Sequence, residues 1–152
     1  MKTNYEIRYA SHPEDAKKYD TARLRKEFLV QNLFVTNEVN MVYTLFDRLV
    51  VGGAMPVNEA LTLDAIDPLK SEFFLSRREL GIYNIGGAGK VLVDGVVFSL
   101  EYKEALYLGA GNRTVSFESN DASCPSKFYF NSAPAHKTFP DRKITKADAI
   151  VM

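Results

Sequence analysis

From Asn40 onward the chain runs in a two-residue period, broken at short intervals by turn residues. That pattern confines it to antiparallel β architecture. In NMVYTLFDRLVVGG, Met41, Tyr43 and Leu45 alternate with Val42, Thr44 and Phe46, and Gly52-Gly53 is expected to end the run. The segments EALTL, EFFLS, LGIYNI, KVLV, VVFSL, ALYL, TVSFES and KFYFNSA follow, separated by Pro56, Asp67-Pro68, Gly109 to Asn112 and Pro125. About ten short strands at such spacing predict a sandwich or barrel. The first quarter differs. Ser11 is placed to cap a helical turn carrying Pro13, Glu14 and Asp15, and a second short helix after Asp20-Thr21 would put Leu24 and Phe28 on one face.

The stretch GGAGK at 86–90 invites a nucleotide-binding reading, which its spacing rejects. A P-loop requires a glycine five residues before Gly89, where the chain has Asn84, and Ser or Thr after the lysine, where it has Val91. The dinucleotide fingerprint counted from Gly87 needs a glycine at Leu92. KVLV then leads into Asp94-Gly95, a hairpin signal, because a type I′ turn needs positive φ at both central residues. A strand follows this loop, so no helix N-terminus is available to a phosphate.

The chain has 152 residues, enough for one well-packed domain. Nineteen basic and nineteen acidic residues cancel, so the basic excess of a nucleic-acid binder is missing. The N-terminus lacks a signal-peptide core, no run reaches membrane-span length, and Cys124 is alone. A cytoplasmic protein with no nucleic-acid or membrane partner is expected. Near the end, Thr145 stands three residues before Asp148, a loose capping-box arrangement. This tail reads either as a frayed terminus or as a connection to a second domain.

The segment GAGKVLVDGVVFSLEYKEALYLGAG resembles the cupin strand pattern. Cupins carry G-x5-HxH-x(3,4)-E-x6-G and G-x5-PxG-x2-H-x3-N. Glu79 matches the E-x6-G half, ending at Gly86, but the histidine positions hold Phe73 and Leu75, or Glu72 and Phe74 with the longer spacer. In the second motif Gly109, Gly111 and Thr114 stand for the proline, glycine and histidine. The resemblance therefore implies a barrel whose metal site is absent. LRKEFLV, MVYTLFDRLVVGGAMPV, FFLSRRELGIYNIGGAGKVLVDG, ALYLGAG and KFYFNSAPAHKTFP together look like the N-terminal half of the 5-keto-4-deoxyuronate isomerases.

That likeness implies a mostly β, cupin-like antiparallel β-sandwich or barrel (a jelly roll) with a short helical N-terminal region. Residues 1–38 would form a helical or extended region packed on the barrel, 39–140 the barrel, and 141–152 the start of a connection to a further C-terminal domain. The family's zinc ligands lie in its C-terminal half, so no zinc is expected in this chain. The whole protein would isomerise a small sugar acid as a homo-oligomer, with this half as scaffold and assembly surface, inactive alone. The competing class is a free-standing, metal-free cupin that binds a sugar acid or organises an oligomer.

Few residues of the chain bear on chemistry. The histidines are His12 and His136, too few with one cysteine for a His-rich zinc site. His136 is a weak candidate for a catalytic base across a subunit interface; otherwise it is a loop histidine bonded to backbone. Glu79 would share a barrel-facing strand face with Phe73, Leu75, Gly81 and Tyr83 if the strand is unbroken. A carboxylate there would need a cation, and Arg48, Arg77 or Arg78 could pair with it. Arg48 and Arg78 are also the weak candidates for holding a sugar-acid substrate. Phe73, Phe74, Tyr129 and Phe130 read as core or interface.

Overall fold

The computed structural model describes residues 2–150. Among these residues eleven strands form two sheets. They are β1 (Lys2–Arg8), β2 (Glu38–Thr44), β3 (Val50–Ala54), β4 (Leu61–Thr62), β5 (Arg78–Asn84), β6 (Gly89–Val93), β7 (Val96–Leu100), β8 (Ala105–Leu108), β9 (Val115–Ser119), β10 (Phe128–Pro134) and β11 (Arg142–Ile144). The larger sheet runs β1-β2-β3-β10-β5-β8-β11 and the smaller β4-β9-β6-β7. Strand β1 pairs parallel with β2; the other pairs are antiparallel. The fold is the expected mostly β, antiparallel sandwich.

Alternation puts one residue in two between the sheets. Leu80 and Ile82 of β5, Val91 and Val93 of β6, Leu106 and Leu108 of β8, and Phe128 and Phe130 of β10 are all buried there. The Phe117 ring of β9 crosses the gap, stacked on Phe130 at 6.1 Å and tilted against Phe128 at 5.3 Å. Burying each such ring contributes about 1.5–3 kcal/mol, and these aromatics clamp the two sheets together. At the β6–β7 turn, Asp94 and Gly95 both take positive φ, 49° and 85°, as the Asp-Gly signal predicted.

Several expectations are corrected. Gly52-Gly53 does not end its strand; both glycines lie inside β3. A β-carbon on Gly52 would strike the Phe130 ring in the core, while one on Gly53 would crowd Leu33 and Phe34 on the outer face. The pair thus lets two layers approach a single strand closely. The first quarter is not mainly helical. Strand β1 forms one edge of the large sheet, and helices α1 (Pro13–Ala16) and α2 (Thr21–Phe28) are short. His12, not Ser11, caps α1, accepting the Glu14 N–H at 3.2 Å. Asp20 caps α2 from the Arg23 N–H at 2.8 Å.

The segment EFFLS is not a strand. Residues 74–77 form a turn, and Phe73 makes only an isolated bridge to Asp64. Within 141–152, read as the start of a connection to a further domain, β11 pairs with β8 and forms the other edge of the large sheet. The Asp148 carboxylate accepts from both the N–H and the hydroxyl of Thr145, at 2.7 and 2.8 Å, around a single 3-10 turn. Val151 and Met152, the end of the tail read as a frayed terminus or a connection, lie outside the described residues. Among the described residues no helix is long and apolar enough to cross a membrane.

Candidate functional site

The turn at 74–77 resets the alternation on which the reading of Glu79 depended. Leu75 points into the core, and after the turn it is Arg78, Leu80 and Ile82 that continue on that side. Glu79, Gly81 and Tyr83 share a face as predicted, but it is the outer one. There the Tyr107 hydroxyl donates to Glu79 Oε2 at 2.8 Å, so the carboxylate is held by a phenol and not by an arginine. Burial, followed by the Glu79 hydrogen bond and charge and by Asp141, pushes the Tyr107 phenol up to about 12.

Arg78 occupies the core-facing register at the rim of the sandwich and is only 6% exposed. Its Nε donates to Ser132 Oγ at 3.1 Å, and its Nη2 to the carbonyls of Ser132 at 2.8 Å and Arg48 at 2.5 Å. Ser132 Oγ in turn donates to the Glu79 carbonyl at 2.6 Å, tying β10 to β5 beneath the guanidinium. No carboxylate pairs with Arg78 among the described residues. Burial lowers its pKa from the ordinary arginine value; Tyr43 opposes the shift and Arg48 adds to it.

A pocket of about 450 Å³ opens in front of this guanidinium. Arg48, Arg77, Arg78, Lys70, His136 and Tyr43 contribute its ionisable lining, and no Asp or Glu does. Two of the cations are already engaged. Lys70 pairs with Asp67 at 2.6 Å, and Arg77 Nη2 donates to the Leu69 and Lys70 carbonyls, each at 3.0 Å. Arg48 is exposed, on the β2–β3 turn where Asp47 and Arg48 both take positive φ. His136 is exposed.

Three of the four residues singled out from the sequence, Arg48, Arg78 and His136, therefore meet in one pocket, while Glu79 faces away from it. Sequence reasoning missed Tyr43, Lys70 and Ser132, which lie far apart in the chain and carry no motif. A second groove, of about 440 Å³, lies beside β1. Its Arg8 is already bound to Glu6 and to the Leu29 carbonyl, so its charge is answered within the fold.

Zinc does not fit the donors of the barrel interior. The space between the sheets is filled by Phe74, Leu75, Phe117, Phe128, Phe130 and their aliphatic neighbours. Thr114, at the motif's histidine position, is exposed, its N–H donating to Asp94 at 2.9 Å. No cluster of three or more His, Cys, Asp or Glu suited to a metal occurs among the described residues.

No protein-family model matches the chain. Curated relatives do. The 4-deoxy-L-threo-5-hexosulose-uronate ketol-isomerase 1 of Bacteroides thetaiotaomicron is 70% identical over 151 residues, 99% of this chain and 54% of that protein. The ketol-isomerase of Bacteroides fragilis is 64% identical over the same shares, and that of Formosa agariphila 56% identical over 98% of this chain and 53% of its own length. Among solved structures, a cupin protein of Bacteroides fragilis superposes with TM-score 0.44 at 15% identity, covering 68% of this chain and 78% of its own. The cupin domain of Schizosaccharomyces pombe Cnp3 gives 0.48 at 9% identity, with 64% of each chain covered. By sequence the chain is similar to the 4-deoxy-L-threo-5-hexosulose-uronate ketol-isomerases, and it spans about half the length of the curated relatives it matches.

Proposed function

We propose that this chain is the N-terminal cupin half of a uronate ketol-isomerase and serves there as scaffold and assembly surface. The whole protein converts 5-keto-4-deoxyuronate to 3-deoxy-D-glycero-2,5-hexodiulosonate in the breakdown of pectin and related polyuronides. The observation that carries this reading is 70% identity, over 99% of the chain, to a protein named for that activity.

Moving a proton between carbons that flank a carbonyl needs a base and a group that polarises the oxygen. The apolar filling between the sheets supplies neither, which supports assigning the chemistry to the other half. The exposed Tyr83, whose ring lies 6.1 Å from that of Tyr129 on the outer face of β5 and β10, supports an assembly role.

The test compares the 152-residue chain with a polypeptide extended through its neighbouring coding sequence. Turnover of the deoxy-keto-uronate by the extended protein, and none by the chain, is expected. Stoichiometric zinc in the purified chain, or enzyme-level turnover by it, overturns the scaffold role. An extended protein without turnover overturns the isomerase reading and leaves a metal-free binding or assembly module.

A further inference from the structure

We propose that the pocket in front of Arg78 is a carboxylate-binding site, read by Arg78, Arg48, Tyr43 and His136. The proposal goes beyond the isomerase reading and does not depend on it.

The first support is an imbalance of charge. A buried guanidinium without a counter-ion costs several kcal/mol, and folds ordinarily place a carboxylate beside it. Arg78 is 6% exposed, yet only neutral oxygens of Ser132 and Arg48 accept from it. Every ionisable group lining the pocket is cationic or a histidine or tyrosine. The second support is unused hydrogen-bonding capacity. Arg78 Nη1 has no partner among the described residues, and neither does the hydroxyl of Tyr43, a residue only 8% exposed. Both residues line the pocket, and neither of these two atoms is fully buried.

These donors suit a carboxylate. Arg78 Nε and Nη2 are already committed, so Nη1 can meet one oxygen while the Tyr43 hydroxyl or the free Arg48 guanidinium meets the other. The buried end of the pocket strengthens such charge-assisted bonds relative to water. A volume of about 450 Å³ accommodates an acid of monosaccharide size. A carboxylate from either of two sources would use the same donors: a free sugar acid, or an Asp or Glu side chain from another part of a longer polypeptide.

The test is isothermal titration of the chain with D-glucuronate, with D-glucose and inorganic phosphate as comparators. D-glucuronate should bind saturably at one site, D-glucose should not bind, and phosphate should bind more weakly. Arg48→Gly, which suits the positive φ of that position, should weaken D-glucuronate about tenfold. Arg78→Lys should weaken it at least as much; if that variant does not fold, Arg48→Gly and Tyr43→Phe carry the test. D-glucuronate binding to the chain but not to the extended polypeptide assigns the pocket to an internal carboxylate, and binding to both assigns it to a free acid. Equal binding of D-glucose, tighter binding of phosphate, no saturable binding, or unchanged affinity in Arg48→Gly overturns the proposal.

Discussion

Arg78 donates through Nη2 to the carbonyl of Arg48 at 2.5 Å, joining the start of β5 to the β2–β3 turn. That turn holds Arg48 at φ 55°, a left-handed conformation that costs a residue with a β-carbon about 1–2 kcal/mol. The strained carbonyl and the buried guanidinium are thus parts of one arrangement. Replacing Arg78 by Met should leave the Ser132 and Arg48 acceptors unmatched and destabilise the fold by about 2–4 kcal/mol. Arg48→Gly removes only the side chain and should match or exceed wild-type stability. Urea denaturation of the two variants checks both; an undisturbed Arg78→Met would dissolve the link.

Asp141 and Arg113 form a two-pronged pair, Nη1–Oδ1 at 2.6 Å and Nη2–Oδ2 at 2.5 Å, with the Gly109 N–H donating to Oδ1 at 3.1 Å. The Arg113 hydrogen bond, aided by the Gly109 N–H and the Arg113 charge and opposed by burial, holds the Asp141 carboxyl below the usual aspartate range. A depressed carboxylate contributes stability that is full above its unfolded pKa of about 4 and is lost as pH falls through the folded value. Asp141→Asn should cost about 1–2 kcal/mol at neutral pH. It should also flatten the acid limb of the stability curve, and an acid limb as steep as that of wild type would contradict the pairing.

Tyr107 gives the opposite limb. Its phenol is raised to about 12, so its contribution is full below the unfolded value of about 10 and is lost as pH rises through the folded one. Ring-labelled tyrosine NMR should show one phenol ionising well above the others. Glu79→Gln should move it down, because both the hydrogen bond and the charge come from Glu79. Ionisation of Tyr107 near 10 in the wild type would mean that the bond does not form.

The legible part of the fold was the part written in local rules. The Asp94-Gly95 turn, the capping of α2 by Asp20 and the alternation of β5, β6, β8 and β10 follow from residues adjacent in sequence. Strand β1 was not legible, because its place depends on parallel pairing with β2, about thirty-six residues away. The inward register of Arg78 was lost for a different reason. A two-residue period cannot be carried through the 74–77 turn, and a one-residue slip exchanges the faces of a strand. The pocket itself joins residues from three separate stretches, so only its charged members stood out as single residues. Phe130, read as core or interface, proves to be core along with Phe128; of the aromatics in KFYFNSA only Tyr129 turns outward.

Association should follow from outer-face packing. Tyr83 is 46% exposed beside Tyr129, and Ile85 is 47% exposed just after the strand. Formal net charge is zero, so salt screening should not dissociate an assembly held by this face. Light scattering at high salt should show a dimer or larger species, and Tyr83→Glu should reduce it to monomer. A wild type that is monomeric throughout would remove this face from consideration.

The glycine loop at 86–89 yields the sharpest contrast between backbone freedom and space. A β-carbon on Gly87 would overlap the Cys124 carbonyl, and one on Gly86 would meet Lys127 and Pro125 backbone, so the loop is glycine-rich because the 124–127 segment lies directly against it. The Gly87 N–H donates to the Pro125 carbonyl at 3.0 Å, which fixes that approach. Gly95 is the reverse case: nothing lies within 4 Å of an added β-carbon, but its φ is +85°. Gly95→Ala should therefore cost about 1–2 kcal/mol, from conformation alone. Gly87→Ala must displace backbone and should cost about 3 kcal/mol or more. Denaturation midpoints of the two variants decide it. A Gly87→Ala protein as stable as Gly95→Ala would mean that the loop is not packed on 124–127, and would reopen the question of what its glycines are for.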